Sequence, residues 1–292
     1  MSQVSASTPS LHLPVSDQLI RATARIECTS ATGKNARGTC FFFLAELDGG
    51  KQAPLLITNK HVIKGQSKAA IHLTTRPADE PAAQPEVMPF EIQALQPLAI
   101  YHPSPNVDLA AIAFGPVAQV LRHGGKVAEY VTLRSADIIS EHVLGDCRAF
   151  EDLLMIGYPN GIWDRVNNRP IVRRASSATP IFENYNGEAK FLIDCACFPG
   201  SSGSPVFLFN EGIYSTKKGA TLGGTRVALV GVLHAAFLHL TKGQVVEADV
   251  ASIQQLEAEV TVPNSIGICI KAAEINGLVG ELMAKIGQSA AA

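Results

Sequence analysis

Three short segments of this chain each set a reactive side chain at the end of an apolar, strand-like run. In the first, Thr58-Asn59-Lys60-His61-Val62-Ile63 follows Pro54-Leu55-Leu56-Ile57. The second is Asn106-Val107-Asp108-Leu109-Ala110-Ala111-Ile112, and the third is Pro199-Gly200-Ser201-Ser202-Gly203-Ser204-Pro205-Val206-Phe207. A serine hydroxyl is a weak nucleophile at neutral pH. It needs a base within hydrogen-bond reach, and the base needs an acceptor on its other ring nitrogen. His61, Asp108 and Ser202 supply those three groups, at separations of 47 and 94 residues. Only the tertiary fold can unite groups so far apart. Gly200 frees the backbone so that its N–H and that of Ser202 can aim at one point. Two such donors make an oxyanion hole, each worth about 3–4 kcal/mol to an acyl-transfer transition state. Gly203 leaves the Ser202 side chain unobstructed, and Pro205 fixes the exit into a strand.

The elements around these segments read as β-structure. From about Leu19 the chain runs through ATARIECTS, GTCFFFLAEL, PLLITNKHVI, AAIHLTT, FEIQAL, LAIYH and DLAAIAF. Short strands at this spacing, without alternating helices, predict antiparallel barrels or sandwiches. LLMIGYP, PIVRRASSATPIF, KFLIDCACF, SPVFLF, VALVGVLHAAFL and SIGICI form a second such block. The expected organisation is an N-terminal arm over 1–17, rich in Ser, Thr and Pro and read as mobile, and a β-barrel over 18–115. A connector over 116–145 follows, with a short helix near Val117–Arg122. The second barrel covers 146–272, with a helical insertion near 246–260 on the periodicity of Val250–Val260. A C-terminal helix and tail occupy 273–292.

Composition excludes several classes. The chain has 292 residues, 47% hydrophobic and 17% charged, with net charge -2. That leaves enough apolar material for a large core and no basic surplus to steer it to nucleic acid. The four arginines 165, 169, 173 and 174 near Trp163 read as a solvated face. The longest near-apolar run, Val227–Leu240, is too short for a membrane span and holds two histidines. The first residues show neither a basic region nor an apolar stretch of the signal-peptide kind, so a cytoplasmic location is expected, with no membrane partner. Six cysteines at 28, 40, 147, 195, 197 and 269 do not space as a disulfide framework. Cys195 and Cys197 lack a second Cys/His pair to complete a zinc tetrahedron, so no metal and no organic cofactor are expected.

The pieces GTCFFF, LLITNKHVI, DLAAI, IGYPNG, PGSSGSPVF, VGVLHAAF and SIGICI, in this order over about residues 20–272, resemble the chymotrypsin-like (trypsin-fold) serine proteases. The likeness is greatest to bacterial glutamyl-endopeptidase and HtrA-type protease domains. His, then Asp, then Ser is that family's order. The resemblance implies an all-β fold of two antiparallel six-stranded β-barrels, closed by a C-terminal α-helix. It places His61 and Asp108 on the first barrel and Ser202 on the second. It also implies an oxyanion hole from the N–H groups of Gly200 and Ser202. Specificity-pocket walls would come from Cys195–Phe198, His234–Phe237 and Ser265–Cys269, with Ala196, Cys197, His234, Ala235, Ala236 and Gly267 as substrate-binding residues.

The departures from the family pattern carry information. Ser201 stands where zymogen-activated trypsins have an acid, so their activation switch is not expected. Ala196 stands where trypsins have the Asp that binds Lys or Arg, which disfavours a basic P1 residue. His234 aligns with a histidine that glutamyl endopeptidases use to receive an acidic P1 side chain. An acidic P1 and a small or apolar one both stay open, as does a structural role for His234. Cys197 could be imagined as a thiol nucleophile, but five residues before Ser202 it reads as pocket lining. The expected function is a serine endopeptidase acting on protein or peptide, with Ala235–Phe237 pairing with substrate backbone. Two alternatives remain: a cytosolic effector held inactive until a regulatory partner or ligand orders it, and a non-catalytic peptide-binding module on the same fold.

Overall fold

The computed structural model describes residues 13–219, 221–245 and 256–291. Within them, the side chains of 221–222, 238–245, 256–263 and 288–291 are outside the description. Helix α1 (Val15–Arg21) leads into β1 (Thr23–Thr29), β2 (Asn35–Glu46) and β3 (Gln52–Thr58). The single turn α2 (Lys60–Ile63) follows, then β4 (Lys68–Pro77), β5 (Glu86–Ile92), β6 (Ala99–Tyr101) and β7 (Ala110–Ala113). These strands pair in the order β5-β4-β1-β2-β3-β7-β6. The pattern in β2 explains the packing. Phe41 and Phe43 point to one side and Cys40 and Phe42 to the other, and all four are buried. Both faces of this sheet are therefore covered, one by its own interior and one by the second half of the chain.

The second half closes completely. Strands β10 (Asp152–Gly157), β11 (Ile171–Ser177), β12 (Lys190–Asp194), β13 (Pro205–Asn210), β16 (Arg226–Val245) and β17 (Leu256–Lys271) form a barrel in the order β10-β11-β12-β17-β16-β13. The two-stranded ribbon β14 (Ile213–Ser215) and β15 (Thr221–Gly223) lies between β13 and β16. Phe191, Ile193, Val206, Leu208, Val230 and Cys269 fill the barrel. Between the two halves lies a third core, in which Phe41, Phe43 and Ile57 meet Ile156, Phe207, Leu229 and Ile270. The C-terminal helix α4 (Ile275–Ala291) presents Ile275, Leu278 and Leu282 to it, at the spacing of one helical face. Gly277 lies against the ring of His102, where an added Cβ would sit 2.2 Å from Nε2.

Four features differ from the sequence expectations. The first half is not a hydrogen-bonded six-stranded barrel, because β5 and β6 do not pair. Instead the Gln96 side chain donates to the carbonyls of Ile63 and Gln66 at that gap. The segment 116–145 carries the expected short helix, but it also contributes strands to the first sheet. Helix α3 (Phe114–His123) buries Phe114, Val117 and Leu121. Strand β8 (Lys126–Glu129) pairs with β4, and β9 (Leu133–Arg134) pairs with β2. Residues 15–17 belong to α1, anchored by buried Leu19, whereas 1–12 of the expected arm lie outside the described residues. Residues 256–260 of the expected helical insertion are strand, continuing the β16–β17 hairpin, and 246–255 lie outside the described residues. Strand pairing outweighs helical periodicity there.

Candidate active site

Each functional side chain is set by a specific backbone device. His61 sits on the turn α2, immediately after β3. Asp108 lies just before β7, the strand that pairs with β3. Two further bonds tie these segments: the Lys60 N–H and the Asn59 side-chain amide both donate to the Asp108 carbonyl, at 3.3 and 2.8 Å. The Asp108 carboxylate then meets His61 twice. Oδ1 accepts the His61 backbone N–H at 3.0 Å, and Oδ2 lies 2.5 Å from His61 Nδ1. A carboxylate only accepts, so this bond puts a proton on Nδ1 and leaves Nε2 as a free base. The His61 side chain is about half exposed (49%), while that of Asp108 is mostly covered (21%).

The Ser202 turn depends on two glycines. Gly200 and Gly203 both have positive φ, 92° and 87°. A Cβ at Gly203 would lie 2.1 Å from the Thr39 carbonyl oxygen, and one at Gly200 would lie 2.6 Å from that of Tyr158. No other residue type fits either position without shifting backbone. Three of the turn's carbonyls are held by partners outside it. Pro199 O accepts from Asn160 N–H at 2.6 Å, Gly200 O from the Thr39 hydroxyl at 3.0 Å, and Ser202 O from Thr39 N–H at 2.8 Å. The N–H groups of Gly200 and Ser202 donate to no acceptor among the described residues. They are thus free to receive an oxyanion. The Ser202 backbone approaches the His61 turn through Gly38, where a Cβ would touch both Val62 and Ser202 O. The Ser202 hydroxyl makes no hydrogen bond to His61 in this conformation. Such bonds commonly tighten only when substrate is present.

Thr39 and His234 complete the site, and sequence reasoning gave neither of them this part. The Thr39 hydroxyl donates to Gly200 O and accepts from Tyr158 N–H (3.1 Å) and Ser204 Oγ (3.2 Å). It therefore ties the first half of the chain to the nucleophile turn. His234 was expected at the wall of the specificity pocket. Its Nδ1 lies 2.9 Å from Asp108 Oδ2, the same oxygen that His61 uses. Burial alone would raise the Asp108 carboxyl. The hydrogen bonds from His234 and His61, with the His61 charge and backbone N–H, overcome burial and hold it well below the usual carboxylate range. His61, Asp108 and His234 bring their ligand atoms within 4.8 Å of one another.

The three segments expected as pocket walls are neighbours in the second barrel. Cys195 N–H donates to Ser265 O at 2.7 Å, and Ala236 pairs with Gly267. A Cβ at Gly267 would lie 2.7 Å from Cys197 Sγ. Ala196 lies between Cys195 and Cys197, and Ala235 pairs with Ile268. All six cysteines are free and buried. The Cys197 thiol is pushed up by its hydrogen bond with Cys195 and by burial, which makes it a poor nucleophile. Strand β13 pairs with β16 only as far as Val232, so one edge of Ala235–Phe237 is unpaired among the described residues.

A family model described as a trypsin-like peptidase domain matches residues 38–212, more than half of the chain. No curated protein matches the sequence. Among solved structures, an HtrA-type protease, AlgW, with a tripeptide is 16% identical with a TM-score of 0.48, covering 91% of this chain and 62% of its own. This chain thus spans less than two thirds of that structure's length. A catalytically inactive tobacco etch virus protease complexed with substrate is 11% identical (TM-score 0.45), covering 89% of this chain and 82% of its own. The protease Anisep from Arthrobacter nicotinovorans is 14% identical (TM-score 0.43), covering 87% and 91%.

Proposed function

The chain belongs to the trypsin-like peptidase domain family, and on that premise we propose that it is a serine endopeptidase. The observation that carries this reading is the 2.5 Å contact of Asp108 with His61 Nδ1, across the cleft from a Ser202 turn with two free N–H donors. Ser202 Oγ attacks the scissile carbonyl while His61 Nε2 takes its proton. The oxyanion is received by the N–H groups of Gly200 and Ser202. His61 then protonates the leaving amine, and the acyl group stays on Ser202. Water, deprotonated by His61, hydrolyses that ester and returns the enzyme. Asp108 holds the His61 tautomer and stabilises the imidazolium.

The substrate is a peptide segment laid along the free edge of Ala235–Phe237 as an added strand. Its P1 side chain is small and uncharged. Cys197, Ala236 and Gly267 leave little room, and His234 turns its Nδ1 to Asp108. The protein works in a reducing, cytoplasmic compartment, a reading supported by six free thiols. The test is labelling by a fluorophosphonate probe together with cleavage-site profiling on a peptide library. Labelling and cleavage that both disappear in Ser202→Ala are expected. An unlabelled wild type would favour the peptide-binding module instead. Labelling that requires an added protein or ligand would favour the regulated effector.

A further inference from the structure

Two imidazoles converge on one carboxylate oxygen at the centre of this site. His61 Nδ1 and His234 Nδ1 lie 2.5 and 2.9 Å from Asp108 Oδ2. They come from opposite halves of the chain, 173 residues apart in sequence. Two nitrogens and one carboxylate oxygen are a donor set suited to zinc and neighbouring borderline cations, and poorly suited to magnesium or calcium. Asp108 is already anchored, because its other oxygen accepts the His61 backbone N–H at 3.0 Å. That is the outer support a metal-binding carboxylate needs. His61 is about half exposed, so an ion can enter from the cleft and keep a water as its fourth ligand. Metal–ligand bonds of roughly 2.0–2.2 Å put donors about 3.4 Å apart, so each ring nitrogen draws back from Oδ2 by less than about 1 Å.

We propose that His61, Asp108 and His234 form a zinc site whose occupation switches the peptidase off. The inference rests on the triad reading for its consequence, though not for the binding itself. Without the ion, both rings carry a proton on Nδ1 and His61 offers the lone pair of Nε2. When the ion takes the Nδ1 lone pairs and Asp108 Oδ2, each ring's proton passes through water to Nε2. No net proton is released from the neutral rings. Nε2 of His61 then has no lone pair with which to accept the Ser202 proton. Asp108, bound to the cation, no longer orients the base.

The experiment titrates zinc chloride into the full chain carrying Ser202→Ala, which keeps all three ligands, and follows heat. One saturable site is expected. Adding His234→Ala, or His234→Gln, which keeps a hydrogen-bond donor to Asp108, should weaken it by at least about 100-fold, with folding checked by circular dichroism. Cobalt(II) should give visible ligand-field bands without a near-ultraviolet thiolate band. In wild type, zinc should abolish cleavage and a chelator should restore it, while magnesium has no effect. No saturable heat, affinity left unchanged by both His234 substitutions, or thiolate bands from Cys195 and Cys197 would overturn the site. Binding lost with His234 supports the site even if the wild type cleaves nothing, so failure of the peptidase reading is seen separately.

Discussion

The hydroxyl of Thr39 donates to the carbonyl of Gly200 at 3.0 Å, joining the first half of the chain to the turn that carries Ser202. The same oxygen accepts the Tyr158 N–H, and all of these groups are buried. Replacing Thr39 with the isosteric Val keeps the volume and removes the hydroxyl. The Tyr158 N–H and the Gly200 carbonyl are left buried without that partner, a cost of about 1–3 kcal/mol. Urea unfolding should report that loss. A fall in kcat larger than in 1/KM should accompany it, because the Gly200 N–H is held less firmly.

Ser202→Ala should lower kcat by roughly 10⁴–10⁶-fold while peptide binding survives. Single-turnover kinetics and binding to a fluorescent peptide separate the two. Residual activity within tenfold of wild type would remove Ser202 from the nucleophile role.

Asp108→Asn should lower kcat by about 10⁴-fold, because the amide no longer fixes His61 with its proton on Nδ1. It should also change the acid behaviour of the fold. The folded carboxyl lies below its unfolded value of about 3.9. Its contribution is therefore fully present above about pH 4 and is lost progressively as pH falls below that. Melting temperatures measured from pH 7 down to pH 2 should show the gap between wild type and Asp108→Asn narrowing only at the acid end. A constant gap would contradict the pairing.

Gly203→Ala should be among the most damaging single changes. It forces an L residue to φ 87° and drives a Cβ to 2.1 Å from the Thr39 carbonyl. About 3 kcal/mol or more of lost stability is expected. Soluble yield and thermal melting will show it. Gly187, also at positive φ but with open space around it, is the control, and Gly187→Ala should lose no more than about 1–2 kcal/mol.

His234→Ala should leave the P1 profile centred on small residues and lower kcat by about tenfold, since Asp108 loses one of its two imidazole donors. Loss of an acidic P1 signature in this variant would instead assign His234 to the pocket.

Sequence patterns carried the local decisions. Alternation in Ala22–Ser30 and the apolar runs Gly38–Leu47 and Pro54–Ile57 read as strands because a period of two, or a short apolar run, is written residue by residue. The turn Gly200-Ser201-Ser202-Gly203 could be read as a nucleophile turn because only glycine tolerates its positive φ. His61 and Asp108 stood out by their place beside strands. The β8 and β9 pairings left no such mark. Each is only a few residues long, and what makes it a strand is the partner edge offered by β4 or β2. Residues 256–260 read as helical because periodicity records a face, while the strand opposite that pairs with it lies elsewhere in the text.

The sequence by itself determined which side chains could do chemistry and which glycines had to turn the backbone, because both depend on residue type and immediate neighbours. Tertiary structure alone decided that His234, on the second barrel, meets Asp108 and that Thr39 holds the nucleophile turn. Both contacts join segments 126 and 161 residues apart. Their energy depends on how two β-halves dock, and docking is set by the sum of a shared core rather than by any local pattern.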